Sequence, residues 1–121
     1  MTKKDLLKKI DGKSATYSNS TFFSGYDDVN KDFIKSINER VNTWNSEHPD
    51  LPPQKVVVTD QTIEVGSQIW RLAKPAKTGE ISVRASYILV CGVRLDPKDI
   101  DMETVTENMF KTVHGSTIIF N

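Results

Sequence analysis

The stretch TIEVGSQIWRLAKPAKTGEISVRASYILVCGVR, residues 62–94, decides how this chain is read. Along most of it apolar and polar residues alternate, which is the period-2 signature of β-strands. Near its middle, Lys74-Pro75-Ala76-Lys77-Thr78-Gly79 supplies turn chemistry. Setting Lys74 opposite Glu80 predicts one long hairpin. Ile63 then faces Cys91, Val65 faces Leu89, Ile69 faces Ala85 and Ala73 faces Ile81, giving a continuous apolar face. On the reverse face Trp70 meets Arg84, Gln68 meets Ser86 and Leu72 meets Ser82. Gly66 marks a bulge, which would shift this register.

The reverse face is the candidate site: Trp70, Arg84, Gln68 and Ser86, with Arg71, Lys74 and Lys77 toward the turn. Tryptophan and arginine are the residue types enriched at binding hot spots, so a protein partner is expected there. A tryptophan beside cations also suits stacking on an unpaired base, which makes single-stranded nucleic acid the alternative partner. A third reading covers this face with a helix and makes Trp70 core. Ile88 and Val90 share the face and support partial covering.

Outward from the hairpin, residues 2–10 read as a short helix capped by Thr2 with Asp5 three residues on, and stopped at Gly12. Leu6, Leu7 and Ile10 form its apolar edge, flanked by Lys3, Lys4, Lys8 and Lys9. Residues 13–25 are rich in Ser and Thr and carry Tyr17, Phe22 and Phe23. They read as a small hairpin turning at Ser18-Asn19 or as a loop anchored by its aromatics. Residues 27–47 form the longest helix, with Val29, Phe33, Ile37, Val41 and Trp44 as its apolar stripe. His48-Pro49 ends it. Residues 55–59 read as a strand. Asp96-Pro97 starts a second amphipathic helix to Val113, striped by Met102, Val105, Met109 and Val113. Thr117–Phe120 is a last strand.

Composition narrows the classes. Sixteen Lys and Arg balance sixteen Asp and Glu over 121 residues, so no global field attracts a polyanion. The single cysteine, Cys91, excludes an internal disulfide. Its apolar setting raises a thiol pKa and makes it a core residue more than a nucleophile. No apolar run reaches membrane-spanning length, and the charged start of the chain forms no signal peptide, so a cytoplasmic location is expected. Gly12-Lys13-Ser14 resembles the end of a phosphate loop, yet Leu7 stands where its first glycine belongs. Asp96, Asp99, Asp101 and Glu103 lack the glycine of a calcium loop and suit helix capping. His48 and His114, at two helix ends, are too few with Cys91 for a zinc site. Asn19-Ser20-Thr21 fits a glycosylation acceptor only in a secreted protein.

These features predict one α+β domain over residues 1–121, with residues 1–26 as a helix and an aromatic, Ser/Thr-rich arm. Its sheet is largely antiparallel with about four strands, two amphipathic helices packed on one face, and a short N-terminal helix. The expected function is a non-enzymatic protein-binding or assembly domain: an adaptor, an inhibitor of a larger protein, or a homo-oligomeric subunit. Edge strands at residues 55–59 or Thr117–Phe120 offer a second docking route by strand addition. No cofactor, metal or membrane is called for.

Overall fold

In a computed structural model describing residues 1–121, the chain divides into two compact units, Met1–Ser24 with Ala76–Asn121, and Gly25–Pro75. In chain order the elements are α1 (Lys3–Ile10), β1 (Ser14–Ser18), α2 (Tyr26–Glu47), β2 (Val56–Val58), β3 (Thr62–Val65), β4 (Gln68–Arg71), β5 (Lys77–Val83), β6 (Ile88–Val90), β7 (Val93–Leu95), β8 (Ile100–Asp101), β9 (Met109–Thr112) and β10 (Thr117–Phe120).

The first unit is a seven-stranded antiparallel sheet in the order β7-β6-β5-β1-β10-β9-β8. It curls around one core. Alternate residues of its strands, among them Tyr17, Ile81, Ile88, Val90, Phe110, Ile118 and Phe120, turn inward and are buried together. Helix α1 adds Leu6 and Ile10 to the same cluster, both fully buried. That explains how so short a helix persists: tertiary burial supplies what propensity alone does not. Its capping box is formed, with the Asp5 N–H donating to the Thr2 hydroxyl and the Thr2 N–H to the Asp5 carboxylate. Within the core, the Tyr17 and Ser116 hydroxyls share a hydrogen bond of 2.8 Å, so the buried phenol is satisfied.

The second unit is inserted in sequence between β1 and β5, two strands that pair directly with Ala15 opposite Gly79. It consists of α2 and a three-stranded meander in the order β2-β3-β4. Ile37 and Val41 of α2 are buried with Ile63, Val65 and Leu72. Two reciprocal amide bonds pin the proline-rich return: the Gln54 N–H donates to Asn45 Oδ1 at 2.8 Å, and Asn45 Nδ2 donates to the Gln54 carbonyl at 3.1 Å.

This architecture corrects the expected one. The chain is mostly sheet, seven strands plus three, in place of about four, and it has two helices, α1 and α2. The long hairpin over residues 62–94 does not form, because the chain turns three times within it. Val65 pairs with Gln68, so Gly66-Ser67 is a two-residue turn. Gly66 takes φ +59° there, at the first central position, where a type II′ turn requires glycine. The Arg84 N–H donates to the Tyr87 carbonyl across Ala85-Ser86. Val90 pairs with Val93 across Cys91-Gly92, with φ of +52° and +81° as in a type I′ turn. Gly66 is therefore a turn and not a bulge, and Lys74-Pro75 leads from one unit into the other.

The helix expected after Asp96 is also absent. Pro97–Asp99 and Met102–Thr104 are single 3₁₀ turns, each started by an aspartate side chain, Asp96 and Asp101, accepting a backbone N–H. The Thr104 hydroxyl accepts the Lys111 N–H at 2.8 Å, and residues 109–112 join β10 as a strand. Local side-chain bonds of this kind compete with helix formation. The Met102-Val105-Met109-Val113 stripe thus has helical spacing but no helix, and Val113 is exposed. His114 lies in the β9–β10 turn, while His48 does cap α2. Strand β10 lies between β1 and β9, so it is not a sheet edge. No helix is long and apolar enough to cross a membrane.

Candidate functional site

The inserted unit carries a cleft of about 160 Å³ between α2 and the β3–β4 hairpin. Its floor is apolar: Ile37, Val41 and Val65. Trp44, Trp70, Arg40, Gln54 and Gln68 complete it. Arg40 and Trp44 stand four residues apart and so share one flank of α2. Gln68 and Trp70 stand two apart on β4 and so share one face of the sheet.

Each indole is held in place. Trp70 is half-buried and meets the Phe33 ring edge-on, with centroids 6.1 Å apart and planes at 80°. Trp44 stacks on His48 at 4.4 Å and 20°. The His48 ring is fixed in turn because its Nδ1 donates to the Trp44 carbonyl at 2.9 Å. The Asn45 bonds to Gln54 set the third side of the cleft. Arg40 is exposed, and no carboxylate lies within 4 Å of its guanidinium, although Glu39 and Glu47 flank it on the outer surface of the helix. The site therefore offers two aromatic planes, an unpaired cation and two carboxamides around an apolar floor.

The residues singled out from sequence separate. Trp70 and Gln68 line the cleft. Arg71 is on β4 but points to the opposite face, with the exposed Ile69. Arg84 and Ser86 belong to the other unit, at the β5–β6 turn, so Arg84 does not pair with Trp70. No family model matches this chain. Neither does any curated protein or solved structure.

Three cleft residues, Arg40, Trp44 and Gln54, escaped the sequence reading. Trp44 continues the apolar stripe of α2, and that position alone gives it a core role. The i, i+4 spacing of Arg40 and Trp44 was the available signal, but nothing in the sequence aims that flank at β4. Cys91 also differs from expectation. It occupies a left-handed turn rather than the strand interior, and is partly buried. Its thiol donates to the Ala15 carbonyl at 3.3 Å, and burial pushes its pKa up. Its backbone also packs closely on β5: a Cβ at Gly79 would meet the Cys91 Cα at 3.0 Å, so Gly79 allows the approach.

Proposed function

We propose that this chain is a non-enzymatic protein-binding or assembly domain that engages its partner through the Trp44–Trp70 cleft. The observation that carries this reading is the conjunction of two half-buried indoles with an arginine lacking any intramolecular carboxylate. Tryptophan and arginine dominate binding energetics when they line desolvated pockets. An unpaired guanidinium beside such a pocket matches a planar carboxylate bidentately. Arg40 is the single cation lining the cleft, too little positive charge to track a nucleic-acid backbone. A cytoplasmic setting, with a protein partner or a second copy and without cofactor or membrane, belongs to the same proposal. The lone cysteine supports it, since the chain has no internal disulfide to maintain.

The test is quantitative affinity capture with the native protein and with Trp70→Ala and Arg40→Gln as parallel baits. The expected result is a defined set of proteins retained by the native bait and depleted about tenfold by either variant. Identical capture by all three baits would sink the reading. Mass measurement across a concentration series separates a homo-oligomer, which dissociates on dilution, from binding to a different protein.

A further inference from the structure

Strand β4 is an edge: β3 is its only neighbour. Beside a two-residue turn, alternate residues of an antiparallel strand turn both backbone groups toward the partner. Val65 and Gln68 flank the turn, so Gln68 and Trp70 point theirs at β3. The Leu72 N–H, donating to the Gln61 carbonyl at 2.9 Å, continues the same phase. The backbone groups of Ile69, Arg71 and Ala73 therefore face the open side.

At Ala73 they are met by a side chain. Asn30 Oδ1 accepts the Ala73 N–H at 2.9 Å, and Asn30 Nδ2 donates to the Ala73 carbonyl at 2.8 Å. One carboxamide from α2 does there what the peptide group of a neighbouring strand would do. Ile69 and Arg71, the two preceding positions on that side, have no such partner, and both residues are exposed. The open edge runs alongside the cleft, since Gln68 and Trp70 of the same strand line it.

We propose that an extended segment of a partner protein adds to β4 as a fourth strand, pairing with Ile69 and Arg71. This inference rests on the protein-binding reading above and supplies its mode and the chemistry of the partner. A peptide residue opposite Trp70 lies on the α2 side of the sheet, as Trp70 does. The residue two positions away, opposite Gln68, lies on that side as well. One of these positions meets indole, and the other meets the flank that carries Arg40. The partner segment thus presents a large apolar side chain and a carboxylate two residues apart. The cleft holds about 160 Å³, so the apolar side chain fills it and the carboxylate stays outside it at the exposed Arg40. Backbone pairing supplies the affinity and the alternate side chains supply the selectivity.

The probe is a capped octapeptide of threonine and lysine bearing one leucine and one glutamate two residues apart. Trp44 and Trp70 are the only tryptophans in the chain, so intrinsic fluorescence reports on the cleft alone. Amide exchange by NMR reports on the edge. The expected result is a saturable fluorescence change together with slowed exchange at Ile69 and Arg71. Exchange at Ala73, already bonded to Asn30, stays as it was. Arg40→Gln in the protein, or glutamine for glutamate in the peptide, weakens binding about tenfold, and the two together weaken it no further. Methylating the paired backbone nitrogens of the peptide abolishes binding. The proposal is overturned by equal binding of the methylated peptide, or by a fluorescence change without protection of Ile69 and Arg71. The absence of a saturable change up to about 1 mM peptide overturns it as well. If the peptide fails while Trp70→Ala still depletes captured partners, strand addition alone falls. If capture ignores both variants, the protein-binding reading falls with it.

Discussion

The two units differ in how one sheet edge is finished and in where several of their cations lie. The first ends in β7 and β8, strands of three and two residues, which leave little exposed backbone for another chain to pair with. Three of its cations lie over its own rings: Lys9 over Phe120, Lys77 over Phe22, and Arg94 over Tyr87 at 5.6, 4.7 and 4.2 Å. The inserted unit closes its open edge only at Ala73 and leaves Arg40 unpaired beside two indoles. The first unit packs a core of eleven buried residues, and the inserted unit packs one of five. On the protein-binding reading proposed above, stability and recognition are concentrated in different stretches of one short chain.

The sharpest test of that contrast is Phe110→Ala. Phe110 is fully buried against Phe120 and Ile118, so its removal is expected to cost about 3–5 kcal/mol in urea unfolding, the largest effect of any single truncation. Ile37→Ala, at the centre of the smaller core, should cost about 2–4 kcal/mol and also disturb tryptophan fluorescence, because Ile37 floors the cleft. If Ile37→Ala left the indole emission unchanged, the coupling of core and cleft in that unit would be wrong. Next comes Asn30→Ala, expected to cost about 1–2 kcal/mol through two lost hydrogen bonds. Its signature is faster exchange at the Ala73 amide, which then resembles Ile69 and Arg71. Unaltered exchange there would break the argument that Asn30 substitutes for a strand.

The smallest expected effect is Thr2→Ala. The Thr2 hydroxyl, which accepts the Asp5 N–H, and the Thr2 N–H, which donates to the Asp5 carboxylate, together hold the Asp5 carboxyl below its ordinary value of 3.8. A depressed carboxyl stabilises the fold above its unfolded pKa, and that stabilisation is lost as pH falls through the folded value. The destabilisation by Thr2→Ala should therefore be greater at pH 7 than at low pH, measured by thermal unfolding at both. An equal loss at both would remove Asp5 from the account.

What sequence made legible was local. The capping box of α1, the span of α2 and the strand character of Thr117–Phe120 follow from periodicity and end signals, and each is present, whereas the strand Ser14–Ser18 pairs with β10 and β5 and not in a local hairpin at Ser18-Asn19. Pairing was not legible, because it depends on which turn the chain takes first. Gly66-Ser67 and Cys91-Gly92 are both turn-compatible pairs, but each sits inside a run that alternates well enough to pass as one strand. A register that runs through these turns shifts every partner and sets Arg84 opposite Trp70, whereas Ile63 is the residue that pairs with Trp70. After Asp96 the capping signal is genuine, but it starts a single 3₁₀ turn and not a helix. The alternation of Met109, Phe110, Lys111 and Thr112, with Phe110 and Thr112 buried, was the competing signal. Of the site, Trp70 and Gln68 were found because strand period alone places them together. Arg40 and Trp44 come from a different element, and only the packing of α2 over β4 brings them in.

The insertion has a consequence for the order of events as the chain leaves the ribosome. Gly25–Pro75 is continuous, and its strand pairings are between neighbours in sequence, so it can complete itself as soon as it emerges. Strand β1 is synthesised earlier yet pairs with β5 and with β10, Ala15 opposite Phe120. It must wait, unpaired on both sides, for partners made after the whole insertion. The late-made unit is therefore the one that holds the larger core, and the early-made unit is the one that carries the Trp44–Trp70 cleft, formed while the strands that flank it in sequence are still unpaired.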